Sequence, residues 1–144
     1  MDSFNTETDW HDFYEDAVEL FPPNMLAPRG NSISMDLFVD ADHAGNKVTR
    51  LSYTGFFIFL QNGPIIWFTK QQNTVESSSF GSEFGAIGIA VEHVKALRYK
   101  LRIFGVRIVE PARVHCDNQG VVKNTSFPTS TLSKKHNVVN YHTV

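Results

Sequence analysis

The segment ISMDLFVD, residues 33–40, alternates apolar side chains with Ser, Asp, Phe and Asp. This period of two is typical of a strand with one buried face, and it predicts a first strand that ends at Asp40. Two more β-rich runs follow, SYTGFFIFL at 52–60 and IIWFT at 65–69, with QNGP at 61–64 between them. Because an Asn-Gly pair between such runs indicates a tight connection, we expect the two runs to form a hairpin.

A long helix is predicted after the hairpin. Apolar residues recur at steps of three and four from Phe84 onward, and Gly105 provides a natural end. The stretch PARVHCD at 111–117 predicts a further strand that ends at Asp117, and a short helix is expected at 118–124. Strands combined with a long helix in this way indicate an α/β fold.

The beginning of the chain has a different character. Residues 8–20 predict a short amphipathic helix, and residues 21–32 contain three prolines and read as an extended linker. We therefore expect residues 1–32 to be an acidic, proline-containing connection and residues 33–144 to be the folded domain.

The composition predicts a single packed domain. The chain has 144 residues, close to the roughly 150 typical of one domain, and 42% of them are hydrophobic. Its longest apolar runs, such as residues 55–60, are far shorter than the roughly 20 residues that cross a bilayer, so no membrane partner is expected. The single cysteine, Cys116, excludes an intrachain disulfide and a cysteine-rich zinc site.

A net charge of −2 hides an asymmetry along the chain. Residues 1–28 carry seven acids and no Lys or Arg, whereas residues 29–144 carry all 13 basic residues and eight acids. Such a basic excess is typical of a surface that meets phosphates, although solvated helix faces carry similar charge. Both interpretations stay open on charge alone.

Three acids stand at the ends of predicted elements. Asp40 and Asp117 close strands, and Glu83 opens the long helix. Because the carboxyl ends of neighbouring strands converge on one crevice of an α/β sheet, these carboxylates are candidate ligands for Mg²⁺ or Mn²⁺, which prefer oxygen donors. The alternative is that each acid simply ends its strand or complements the helix dipole.

Five strings favour the first alternative, because together they resemble the RNase H domain of a copia-type LTR retrotransposon Pol polyprotein. They occur in the order of that family and extend over residues 33–144. They are VDADHAG at 39–45, PIIWFTKQQNTVESS at 64–78, SEFGAIGIAVE at 82–92, VHCDNQGVV at 114–122 and KKHNVVNYH at 134–142.

The resemblance implies an α/β, RNase H-like mixed five-stranded sheet flanked by helices, with a short or incomplete C-terminal helix. It implies a ribonuclease H that hydrolyses the RNA strand of RNA–DNA hybrids with two Mg²⁺ ions, for which Mn²⁺ is a substitute. Its catalytic and metal-binding acids match Asp40 rather than Asp42, together with Glu83 and Asp117. The implied partners are an RNA–DNA hybrid and the reverse transcriptase domain of the same polyprotein, and the implied location is intracellular, in a cytoplasmic particle or the nucleus.

One position departs from the family pattern. Members commonly carry a fourth acid where this chain has Val138, which cannot ligate a metal. A last basic helix is expected from near Ser133, and in it His142 would lie one turn beyond Val138 on the same face. His142 is therefore an additional candidate metal ligand, with an ordinary surface histidine as the alternative. The missing acid also favours a second function, a catalytically weak or inactive RNase H-like nucleic-acid-binding module.

Four polar residues are expected to meet the nucleic acid. Lys95, Arg98 and Arg102 on the long helix would contact phosphates. Gln119, just after Asp117, either contacts the hybrid or caps the short helix.

Two aromatic residues of the hairpin and the cysteine are expected to serve packing. Trp67 and Phe68 are placed in the core in preference to stacking on a nucleotide. Cys116 is expected to be buried behind its strand.

Overall fold

Four strands and two helices make up residues 19–126, the part of the chain that the structure, a computed structural model, describes. The elements in chain order are β1 (Met35–Asp42), β2 (Tyr53–Leu60), β3 (Gly63–Gln71), α1 (Ser79–Ile103), β4 (Arg113–His115) and α2 (Gln119–Ser126). The predicted first strand and the predicted hairpin are therefore present, as β1 and as β2 with β3. The α/β class is confirmed.

The strands form one mixed sheet in the order β3-β2-β1-β4. The pairs β1–β2 and β2–β3 are antiparallel, and β1–β4 is parallel. The expected count of five strands is wrong for residues 19–126, which contain four. The four follow from the apolar runs of the sequence, whereas the fifth came from the family resemblance alone. After β4 the chain turns at Asn118 into α2 instead of adding a strand.

One face of the sheet packs against α1 and forms the core. Its strand residues are the inward-facing members of the alternating patterns, such as Leu37 and Phe56, and α1 contributes Phe84 and Ala90. Phe84 and Leu37 have no exposed surface. Burial of each large apolar side chain is worth about 1.5–3 kcal/mol, so this layer fixes the position of α1 over the strands.

Three of the differences from the predicted element boundaries concern the acids and the strand before Asp117. β1 runs to Asp42, so Asp40 lies inside the strand rather than at its end. α1 begins at Ser79 because the hydroxyl of Ser78 accepts the Gly81 N–H and caps the helix, which puts Glu83 in its second turn. β4 spans three residues instead of the seven of 111–117.

The segment before β1 lies along the chain that follows α1. The Arg29 N–H donates to the Gly105 carbonyl, and the Ile33 N–H donates to the Arg107 carbonyl, each at 3.0 Å. Gly105 adopts a φ of 75°, which favours glycine and ends the helix as predicted. The helix predicted at 8–20 lies almost wholly outside the described residues.

Candidate metal centre

The parallel pairing of β1 with β4 brings two of the predicted acids to the same place. Phe38 pairs with His115, so the same register continued by two residues sets Asp117 level with Asp40. Both acids line an open groove of about 640 Å³. Its other lining residues include Phe38, Phe57, His115 and Cys116.

Helix α1 supplies the third acid. Glu83, Cys116 and Asp117 each offer a ligand atom, and these atoms all lie within 4.8 Å of one another. Glu83 and Cys116 are half-buried, whereas Asp117 is exposed. Residues that are 33 and 34 positions apart in the sequence therefore meet at one point of the surface.

Asp40 lies beside this group but outside the set of atoms within 4.8 Å. Its Oδ1 accepts the N–H of Ala41 at 2.8 Å, which turns the carboxylate toward its own strand. Its charge nevertheless acts on Glu83. The structure thus brings Glu83 close to Asp117, and Asp117 shares the open groove with Asp40.

The surroundings of the Glu83 carboxyl group favour its protonated form. Burial is the largest cause of its raised pKa, and the negative charges of Asp117 and Asp40 raise it further. Hydrogen bonds with Asn118 and Cys116 act in the opposite direction without cancelling the rise. A cation bound between these carboxylates would relieve this repulsion.

Cys116 is a member of the site that sequence reasoning missed. Its Sγ lies 3.8 Å from Glu83 Oε2, and burial is the main cause of the raised pKa of the thiol. A protonated thiol is a poor metal ligand, so the effective donors are carboxylate oxygens. Oxygen donors with room for water fit Mg²⁺ or Mn²⁺ better than a thiophilic metal. The only signal in the sequence was the position of Cys116 immediately before Asp117.

The structure does not place Arg98 and Arg102 on an exposed basic face. Their residues are 7% and 5% exposed, and both guanidinium groups bind the carboxylate of Glu19. Arg98 also donates to the Glu110 carbonyl at 3.0 Å, and Arg102 donates to the Ile108 carbonyl at 3.3 Å. Their expected role at phosphates is therefore not supported by their positions. The reason is that the two arginines lie one turn apart on α1 and both bind the carboxylate of Glu19.

The other two predicted contacts are exposed. Lys95 Nζ binds Glu92 Oε1 at 2.9 Å on the surface of α1. Gln119 is the first residue of α2, but Asn118 caps that helix, because its Oδ1 accepts the N–H groups of residues 120 and 121. The cap interpretation of Gln119 is thus wrong, and its side chain lies exposed two residues after Asp117.

The two aromatic residues of the hairpin, Trp67 and Phe68, lie on opposite faces of the sheet. Phe68 stacks on Phe56 with 4.9 Å between ring centroids and belongs to the packed face. Trp67 is 72% exposed, so its predicted place in the core is wrong. It pairs in register with Phe57, which in turn pairs with Phe38, and the three form an exposed row across the face away from α1.

Val138 and His142 lie outside the described residues, as does the helix expected from Ser133. Among the described residues, no helix has both the length and the apolar character needed to cross a membrane.

Comparison with known sequences shows which class of protein the chain resembles. It is similar to part of the retrovirus-related Pol polyproteins of transposons.

Three of these relatives show the extent of the similarity. The polyprotein of transposon RE1 from Arabidopsis thaliana is 30% identical over 114 residues, which is 79% of this chain. That of transposon RE2 from the same plant is 28% identical over 114 residues, and that of transposon TNT 1-94 from Nicotiana tabacum is 32% identical over 108 residues. The chain spans about 8% of the length of each of these polyproteins. No family model and no solved structure matches the chain.

Proposed function

We propose that this chain is a ribonuclease H that hydrolyses the RNA strand of RNA–DNA hybrids. One observation carries the proposal: Glu83 and Asp117, which are 34 residues apart in the sequence, offer ligand atoms within 4.8 Å of each other, and Asp117 lines an open groove together with Asp40. The similarity to retrovirus-related Pol polyproteins of transposons supports it, because the motifs of the chain resemble the RNase H domain of such a polyprotein. In that setting the partners are the hybrid and the reverse transcriptase domain of the same polyprotein.

The residues have distinct tasks in this reaction. Glu83, Asp117 and Asp40 would together hold the divalent cations of the reaction. When bound, Mg²⁺ or Mn²⁺ would lower the pKa of a water molecule and stabilise the leaving oxygen. The chain keeps Glu83 anchored on a buried helix and Asp117 on the turn after a strand, so the carboxylates are positioned before the substrate arrives. Cys116 would remain a protonated neighbour.

The second cation has fewer ligands on this chain. Because Val138 stands where the family commonly has its fourth acid, His142 is the remaining candidate in the sequence for a further ligand. Mn²⁺ accepts nitrogen ligands more readily than Mg²⁺ does. We therefore expect cleavage to require high Mg²⁺ or to be faster with Mn²⁺.

A cleavage assay on an RNA–DNA hybrid tests the proposal. Asp40→Asn keeps the size of the side chain but removes a charge, so it should abolish metal-dependent cleavage and leave hybrid binding intact. Asp42→Asn is the matched control, because this acid is also an exposed residue of β1 but does not line the groove. Equal cleavage by both variants and the parent would contradict the assignment of Asp40.

A second candidate function is a binding module without turnover. The position of Asp40 outside the tight group of donors favours it, since Glu83 and Asp117 are then the only two carboxylates of that group among the described residues. Measuring hybrid binding and cleavage over a range of Mg²⁺ or Mn²⁺ concentrations distinguishes the two functions. Hybrid binding without cleavage at any concentration of Mg²⁺ or Mn²⁺ would identify the binding module, and Val138→Asp should then restore cleavage if the missing acid is the cause.

A further inference from the structure

We infer that a buried hydrogen-bonded chain of His43, Ser82 and Ser52 is a positioning device that holds Glu83 at the metal centre. The inference rests on the proposed function, since it concerns the same site. None of the three residues is a candidate metal ligand. They connect the first turns of α1 to the loop between β1 and β2.

The hydrogen bonds from His43 through Ser82 to Ser52 form an unbroken series. Ser82 Oγ lies 2.8 Å from His43 Nδ1 and 2.8 Å from Ser52 Oγ. Ser52 Oγ in turn accepts the N–H of Ala44 at 2.9 Å. Both serines have no exposed surface, and His43 is half-buried. Buried hydroxyls without partners are costly, so these contacts define one arrangement of the loop against the helix.

One assignment of the protons satisfies all the contacts of the Ser82 hydroxyl. This hydroxyl donates to the Ser78 carbonyl at 3.3 Å. Its oxygen then accepts from the Ser52 hydroxyl and from the Nδ1–H of His43. In this arrangement every contact has one donor and one acceptor.

The backbone of Ser82 is held from a second side. The Gln72 side-chain amide donates to the Ser82 carbonyl at 2.7 Å and to Thr54 Oγ1 at 2.9 Å. Gln72 is 7% exposed and follows the end of β3. The residue directly before Glu83 is therefore tied both to the loop after β1 and to the end of the hairpin.

Helix propensity does not explain a serine at this position. Alanine is the better helix former by up to about 0.5 kcal/mol, and it would occupy the same buried place. What serine adds is the hydroxyl, and the hydroxyl contacts only the loop and its own helix. Its contribution is thus to fix where the helix stands relative to β1.

Such a fixed position matters because the acids repel one another. Without a cation, the negative charges of Asp117 and Asp40 repel that of Glu83. The link from His43 to Ser82 holds the residue next to Glu83 in place against this repulsion. It starts from the same loop that follows Asp40 and ends next to Glu83.

The test measures Mn²⁺ binding by the loss of the free-ion signal in electron paramagnetic resonance, together with kcat and KM on an RNA–DNA hybrid. Ser82→Ala should weaken Mn²⁺ binding and lower kcat by about tenfold each, as is typical for residues that orient metal ligands, while KM changes little. Ser78→Ala is the control, because it removes the hydroxyl that caps the same helix and should lower the unfolding temperature, while the Ser78 carbonyl that accepts from Ser82 stays in place.

A second pair of variants guards against misfolding of Ser82→Ala. His43→Asn keeps a polar atom near the position of Nδ1 and should retain Mn²⁺ affinity, whereas His43→Leu should lose it. Mn²⁺ affinity and kcat that stay at the parent's level in folded His43→Leu and Ser82→Ala would overturn the inference and leave the proposed function standing. A parent protein that binds no Mn²⁺ would refute both.

Discussion

Replacing Glu83 by glutamine should stabilise the metal-free protein at neutral pH. The ligand atoms of Glu83 and Asp117 lie within 4.8 Å of each other, so two full charges there repel by about 0.9 kcal/mol in a water-like medium and by about 3.5 kcal/mol at an effective dielectric constant of about 20. Because Asp117 is exposed, the lower limit is the better guide. We expect Glu83→Gln to raise the free energy of unfolding by about 1 kcal/mol, a shift of roughly 3–5 °C in Tm for a domain of this size.

The gain should depend on pH with a definite sign. The pKa of Glu83 is raised in the folded state by burial and by the charges of Asp117 and Asp40. The folded protein therefore retains a proton that the unfolded chain has already released, and the parent loses stability as the pH rises from about 4.5, the ordinary value, through the raised pKa. The difference between Glu83→Gln and the parent should be complete above that pKa and disappear below the ordinary one.

Thermal unfolding over a range of pH and Mg²⁺ concentration measures both effects. Mg²⁺ should stabilise the parent by about 1.4 kcal/mol for each tenfold increase above its Kd, and it should stabilise Glu83→Gln much less. Glu92→Gln is the matched control, since this acid lies on the same helix in an exposed pair with Lys95. A Glu83→Gln variant that is less stable than the parent at pH 7, or that responds equally to Mg²⁺, would refute the repulsion argument.

Three further predictions concern stability and the exposed face. Glu19→Gln should destabilise the protein by about 1–3 kcal/mol in chemical denaturation, because it weakens the binding of two buried guanidinium groups and partial exposure of Glu19 limits the loss. The control Glu92→Gln should change the free energy of unfolding by less than about 0.5 kcal/mol, and equal effects of the two variants would contradict this prediction. Phe84→Ala should cost about 3–5 kcal/mol in the same experiment, because it opens a cavity under the sheet, and a cost under about 1 kcal/mol would mean that α1 does not cover the core there. Trp67→Ala should leave unfolding within about 0.5 kcal/mol of the parent, because Trp67 is 72% exposed, and a large loss would show that another part of the chain covers it.

Local patterns were sufficient to predict the elements. The alternation around Leu37 and the steps of three and four after Phe84 directly reflect which face of a strand or helix is buried, so these patterns specify β1 and α1 from sequence alone. The boundaries were less accurate, since capping by Ser78 and the strand pairing of β4 depend on hydrogen bonds that a pattern of apolar residues does not encode.

The sequence by itself determined the α/β class, the main elements and the three acids Asp40, Glu83 and Asp117 as candidates. Only the tertiary structure decided how they meet: Asp117 lies against Glu83, Asp40 is turned toward its own strand, and Cys116 enters the site. It also decided that two arginines of α1 are buried against Glu19, which precedes Arg98 by 79 residues. The physical reason is that charge and hydrogen-bonding capacity are local properties of a residue. Whether a guanidinium group meets a phosphate, water or a distant carboxylate depends on contacts that form only when the chain is folded.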